Sequence, residues 1–502
     1  MATVAPMRLR GGRDLTTGPI GRAMLMFALP MMATSALQSL NGSINAIWVG
    51  RLLGEAGLTA TVNANNILFL LLGAVLGVGM ASTILIAQAV GARNLAQAKR
   101  VVGTSASFFL ATSLLVATAG FALADPILTL MGTPEAAHRL AVDYLRIIFL
   151  ALPVMYMLTF AGMALRGAGD SRTPFRFTMV ACVLDIILTP LLIAGWGPAP
   201  ALGISGAAMA TLLSQGIALA ALMTHAYARS FDLRLVRGEL HLLRPDPVLL
   251  RATILKGLPM GAQMLVISLS GLVMVGIVNG YGTATAAGYG VAMQLWSYVV
   301  MPALAVGAAA STTAAQNVGA GLWARVERTA LAGIALNLAL TGALILVVYA
   351  VERPLIALFL PGGADALAVT HRVNQVGLWG HLMLGVAFVL FAVVRATGAV
   401  MAPLAILAIS LLGVRIPLAL WLEPRLGAEA VWWTAPVSMG VAMLLAILYF
   451  RFGPWRAARM LPPSGSLAPA SAPAQANAGA GVPAAAAGAG VPAALAAGPH
   501  AG

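Results

Sequence analysis

The chain has 502 residues, 60% hydrophobic and 9% charged, with a formal net charge of +14. A soluble chain carries about 25% charged residues, so this one cannot clothe a water-facing surface and reads as a polytopic membrane protein. The basic balance then needs no nucleic acid, and the single cysteine, Cys182, excludes an intramolecular disulfide and a cysteine-cluster metal site.

Residues 1–22 are polar and basic, and the apolar run after them is too long for the core of a cleavable signal peptide. A helix crossing the roughly 30 Å hydrocarbon layer needs about 20 apolar residues. Twelve such runs follow. Six cover 23–49, 60–85, 102–124, 142–164, 175–195 and 203–228. After a polar connector at 229–252, six more cover 253–279, 285–312, 329–350, 376–394, 401–421 and 427–450. Strands would alternate in short segments, so the expected class is an all-α integral membrane protein of twelve transmembrane helices, with lobes at 23–228 and 253–450. Residues 451–502 are mostly Ala, Gly and Pro, can bury little, and are expected to form a disordered tail.

Placing the N-terminus inside puts 22 of the 29 Lys and Arg residues on the cytoplasmic side and 6 outside, with Arg415 within a span. That asymmetry predicts both termini in the cytoplasm. Arg166 and Arg395 are counted among the cytoplasmic loop residues.

The two lobes resemble each other at an offset near 229. "AQAVGARNLAQAKR" (87–100) shares 7 of 14 residues with "AQNVGAGLWARVER" (315–328). Leu29-Pro30-Met31 matches Leu258-Pro259-Met260, and Arg166, Gly169 and Pro174 match Arg395, Gly398 and Pro403. Six spans per copy is an even number, so the copies are parallel repeats, with a substrate site expected between them near the midplane.

In the fifth run, "DIILTPLLI" (185–193) opens on the only acid near the middle of a span. An acid there costs on the order of 2.5–3.5 kcal/mol on insertion scales. Asp185 is therefore the candidate for binding and releasing a proton or Na⁺. Thr178, Cys182, Asp185 and Thr189 share one helix face, and Thr34, Gln38, Asn41 and Asn45 form a similar stripe in the first run. If the stripes face each other, Asn45, Asp185 and Thr189 supply oxygens for a hard cation. Thr34, Gln38, Asn41, Thr178 and His381 are candidates for the substrate cleft. The plainer reading of the first stripe is helix-to-helix hydrogen bonding, and of His381 a packed neutral imidazole. Arg415 reads as paired with carbonyls or reaching toward an interface, and Trp421, Trp432 and Trp433 as interface anchors. No metal site is expected beyond Na⁺ at Asp185, and no cofactor.

The ordered segments "NAIWVGRLLGEAGLTA", "AQAVGARNLAQAKR", "LRGAGDSRTP", "DIILTPLLI" and "LGISGAAMAT", with "GLPMGAQ", "AAGYGVAMQLWS", "AQNVGAG" and "VRATG" in the second half, resemble the multidrug and toxic compound extrusion (MATE) family over about residues 20–450. The resemblance implies a V-shaped bacterial inner-membrane antiporter. It would export small organic, often cationic, compounds in exchange for Na⁺ or H⁺. Bending at Pro30, coupled to cation binding, also rests on that resemblance. Relatives commonly carry Asp where Asn45 stands, and Asn then Asp where this chain has Asp185 then Thr189. The seventh and tenth spans lack the acids that some members use. A single carboxylate favours H⁺ over Na⁺, which gathers more oxygen ligands. The chain is expected to act as a monomer and not as an enzyme, because no Ser/His/Asp set or paired intramembrane acids appear. The rival function is a flippase for lipid-linked sugars. Its cleft should carry several Arg or Lys for pyrophosphate, whereas only Arg415 reads as interior.

Overall fold

In a computed structural model, residues 10–195, 200–359 and 364–461 are described. Helices fill them, and no strand occurs among these residues. The elements are α1 (Ile20–Gly91), α2 (Leu95–Leu130), α3 (Glu135–Gly167), α4 (Arg172–Ala194), α5 (Ile204–Ala228), α6 (Pro247–Asn279), α7 (Thr283–Gly319), α8 (Trp323–Phe359), α9 (Ala364–Gly377), α10 (Gly380–Thr397), α11 (Met401–Ala408), α12 (Ile416–Leu426) and α13 (Glu429–Phe452). A π-helical stretch, Ile409–Arg415, joins α11 to α12 without a break.

Eleven candidate spans are long and apolar enough to cross a membrane, and the first supplies two crossings. A straight helix of 72 residues would run about 108 Å at 1.5 Å per residue. Yet both ends of α1 meet one residue. The amide of Leu15, just before α1, donates to Gln316 Oε1 at 2.9 Å, and Gly91 at its end packs on the Gln316 backbone. The helix must therefore fold back. It does so at Gly54, whose φ of 70° and ψ of −165° break the helical path and suit a residue without Cβ. Twelve crossings result. Caps mark other starts: Asn94 accepts from Gln97 N, while Asp246 accepts from Val248 N and Leu249 N, with Pro247 opening α6. Leucines such as Leu115, Leu272, Leu331 and Leu346 stand exposed along the helices, as lipid-facing side chains do.

In the first lobe α3 packs on α1, α2 and α5, and α4 on α5; in the second α10 packs on α7, α8 and α13. α1 joins the lobes by packing on α6 and α7. Among the described residues, every hydrogen bond between lobes lies at the end that holds residues 10–19, the turns after α1 and α7, and the end of α10. We call it the basic end. There Gly91 abuts the Gln316 carbonyl and Gly319 abuts the Gln88 carbonyl. These four residues are the matched "AQxVG" positions, so the repeat's own axis passes between them. Glycine is required because a Cβ at either position would overlap the opposing carbonyl.

The packed body exceeds the expected boundaries. Leu15 is buried and held by Gln316 and Asn317. α6 starts at Pro247 rather than 253. Trp455 is fully buried, stacking on Phe450 at 4.8 Å. The expected tail from 462 onward lies outside the described residues. Trp421 and Trp433 are exposed, but Trp432 is not the anchor expected: it is buried and stacks on Tyr289 at 5.3 Å.

Candidate functional site

α4 places Asp185 inside the first lobe, 4% exposed. The first half of α1 brings two amides to it: Asn41 Nδ2 donates to Asp185 Oδ2 at 2.9 Å and Asn45 Nδ2 at 2.5 Å. α5 brings two hydroxyls to the other oxygen: Thr211 Oγ1 at 3.2 Å and Ser214 Oγ at 3.5 Å. All four partners are neutral, and no ion pair to Asp185 exists among the described residues. Around this carboxylate, three further buried oxygens lack a hydrogen-bond partner: Asn41 Oδ1, Asn45 Oδ1 and Thr189 Oγ1. Buried oxygens are ordinarily paired, so this cluster has acceptor capacity left over.

The group opens on a cavity of about 500 Å³ lined by Thr34, Gln38, Tyr144, Thr178, Cys182 and Arg166 among others. Thr34, whose hydroxyl donates to the Pro30 carbonyl at 2.8 Å, and Gln38 also line a second cavity between the lobes. Asn41, read as a cleft residue, contacts Asp185 directly. Thr189 forms no hydrogen bond with it. His381 lines neither cavity; it is buried in the second lobe, 5.0 Å edge-on from Trp296. α1 stays helical through Pro30, leaving that path only at Gly54.

Two corrections and one addition concern charge. Arg166 and Arg395 are not loop residues. They sit in the last turns of α3 and α10 and both line the interlobe cavity. Arg415 does not reach an interface. It is buried beside Tyr289, with Nε unpaired. Asp185 is also not the only buried acid: Glu352 is 4% exposed, with Oε1 accepting from Asn374 Nδ2 at 2.8 Å and Oε2 lying 2.7 Å from His371 Nδ1. That carboxylate has one partner on each oxygen, one of them an imidazole that can carry charge, whereas the four donors to Asp185 are all neutral. Among the described residues, no cluster of three His, Cys, Asp or Glu side chains is placed to hold a metal.

Thr211, Ser214 and Tyr144 were not among the expected site residues. Thr211 and Ser214 sit in an Ala-rich helix, where a hydroxyl has no distinguishing local signal. Asn41 and Asn45 were singled out because four polar residues in register are rare in an apolar run.

The MatE family model matches residues 30–191 and 259–421, once per lobe. The chain belongs to the MatE family. It is therefore a membrane transporter and not an enzyme. The chain is 35% identical over 435 residues to "Probable multidrug resistance protein YoeA" of Bacillus subtilis (strain 168), covering 86% of this chain and 94% of that protein. It is 30% identical over 448 residues to "Probable multidrug resistance protein YpnP" of the same organism, covering 89% and 98%. The fold is similar to a solved structure described as the outward-facing conformation of a multidrug resistance MATE family transporter, with a TM-score of 0.79 at 21% identity over 87% of this chain and 96% of that one.

Proposed function

We propose that this MatE-family protein is a cell-membrane antiporter exporting amphipathic organic compounds in exchange for H⁺ or Na⁺ bound at Asp185. The observation that carries this is one buried carboxylate held only by neutral donors, beside three unpaired oxygens. Such a carboxylate is stable while amides and hydroxyls surround it and has no fixed cation to displace. A proton neutralises it outright. For Na⁺, turning either asparagine amide by 180° exchanges an N–H for an oxygen, so Asn41, Asn45, Thr189 and Asp185 form an oxygen-rich shell. An organic cation in the same cavity competes with the coupling ion for the one acid there, which gives exchange rather than co-transport. Both termini face the cytoplasm and the monomer is the working unit in this reading.

The rival flippase reading gains the Arg166–Arg395 pair in the interlobe cavity, and one assay separates the two. Proteoliposomes loaded with a cationic dye are given a pH gradient or a Na⁺ gradient. Antiport predicts efflux driven by one gradient and lost in Asp185→Asn. Gradient-independent scrambling of a lipid-linked sugar, with no dye efflux under either gradient, would sink the antiport reading.

A further inference from the structure

The cavity between the lobes has a different character from the one around Asp185. Its volume is about 290 Å³, close to the lower end of ligand pockets, about 300–1,000 Å³. Its lining contains two guanidinium groups, Arg166 and Arg395, and no Asp or Glu. The two arginines occupy matched positions of the repeat, at the offset of 229. The same offset relates Met31 to Met260, Thr34 to Gln263 and Thr83 to Thr312, and all of these line the cavity. The cavity therefore sits on the axis relating the lobes, with one arginine contributed from each side.

The charges are under-used. Arg395 Nη1 donates to Gln263 Oε1 at 2.8 Å, and its other donors have no hydrogen bond among the described residues. The Arg166 side chain has no hydrogen bond and no ion pair among the described residues. A guanidinium offers five donors in a planar fork suited to carboxylate and phosphate. Each arginine stands in the last turn of its helix, where carbonyl dipoles favour a cation. Helix termini do not explain why two such groups converge on one cavity lacking an acid. The remaining walls are apolar, with Met31, Met80, Met163, Met260 and Met264 offering flexible side chains that accommodate varied shapes.

We infer that the interlobe cavity is a subsite for the anionic group, carboxylate or phosphate, of an amphipathic substrate, gripped between Arg166 and Arg395 with the substrate's apolar body against the methionine wall. This goes beyond coupling at Asp185 and does not depend on it. Arg166, Thr34 and Gln38 line both cavities, so molecules carrying both charges would span the two there, while Arg395 lines the interlobe cavity and not the one around Asp185.

The test uses the full-length protein in neutral detergent and two dansyl amphiphiles of equal chain length, one ending in a carboxylate and one in a trimethylammonium. The double variant Arg166→Gln/Arg395→Gln is expected to weaken the carboxylate probe at least about tenfold and the ammonium probe less than about threefold. Arg166→Lys/Arg395→Lys should fall between, because lysine keeps charge but not the fork. This variant also carries the test if the glutamine variant fails to fold. Equal affinity of the carboxylate probe for wild type and the lysine and glutamine variants overturns the proposal. Asp185→Asn should keep carboxylate binding while losing gradient-driven exchange, so the two readings fail separately. Competition distinguishes the source of the anion. Displacement by octyl phosphate supports a soluble amphiphile as occupant, and displacement only by short-chain phosphatidylglycerol supports a lipid headgroup. Displacement by neither overturns the subsite.

Discussion

In the first lobe, Asp185 on α4 is held by neutral donors from α1 and α5 and faces a cavity. In the second lobe, the offset of 229 leads to Val414, and the next residue is Arg415, buried beside Tyr289 where a π-helical stretch meets α12. Two halves with one backbone plan thus carry opposite charges at nearly one place. The difference lies in the surroundings. Asp185 lines a cavity with unpaired oxygens at hand, which is what the proposed exchange rests on. Arg415 is buried beside Tyr289, whose ring stacks on Trp432, and it lines neither cavity. Glu352 shows a third arrangement, a buried acid bonded to Asn374 and His371 that lines neither cavity. A charge inside the membrane suits a coupling role only where its partners can be replaced.

Substitutions can break or sharpen this contrast. The largest effect should come from Asp185→Asn, which removes the exchangeable charge. Gradient-driven efflux from proteoliposomes should fall at least about tenfold, whereas Arg415→Gln, corrected for the amount of folded protein, should leave its gradient dependence in place. The reverse outcome would move coupling to the second lobe.

Next in size is the hinge that makes α1 two spans. Gly54→Ala forces a side chain into φ 70° and should cost about 1–3 kcal/mol, read as a lower unfolding temperature in detergent. An unchanged midpoint would mean that the fold-back has another origin.

Asn45→Ala removes one donor to Asp185. Hydrogen bonds to charged groups contribute about 1.5–3 kcal/mol, so the concentration of coupling ion needed for half-maximal efflux should shift about tenfold. The matched position in the second lobe is Met274, and Met274→Ala should leave ion dependence alone. Similar shifts from both would deny the asymmetry.

The smallest effect concerns the connector after α5. Lys99 Nζ donates to Glu239 at 2.7 Å, and this bond holds the Glu239 carboxyl below its ordinary value. A depressed carboxylate contributes stability above its unfolded pKa, about 4.3, and loses it as pH falls through the lower folded value. The pair is partly exposed, so the contribution is under about 1 kcal/mol. Lys99→Met should erase that acid-side step in thermal unfolding as pH falls below about 4.3; a step that persists would assign it to another carboxylate.

Much of the fold was legible because hydrophobicity along a chain is local information. The apolar runs, the connector and the matched "AQxVG" segments need no knowledge of neighbours, and Asp185 stood out as an acid in mid-span. The hydroxyls of Thr211 and Ser214 did not, since which helix faces α4 depends on packing across the whole lobe. Arg166 and Arg395 were misplaced for a related reason. Nearness to a helix end in sequence suggested a loop, but side chains of the last turn lean back along the helix toward its N-terminus, here into the cavity. Their match across the repeat was the available clue.

By itself the sequence determined that this chain crosses the membrane twelve times, that its halves are copies, and that one carboxylate lies where hydrocarbon would be expected. Those properties follow from composition and spacing along one dimension. Only the tertiary structure decided which polar groups come together: the amides of α1 and hydroxyls of α5 at Asp185, the two arginines lining one interlobe cavity, and Asn374 and His371 at Glu352. Contacts between helices depend on their rotation and approach, and these are fixed by side chains far apart in the chain.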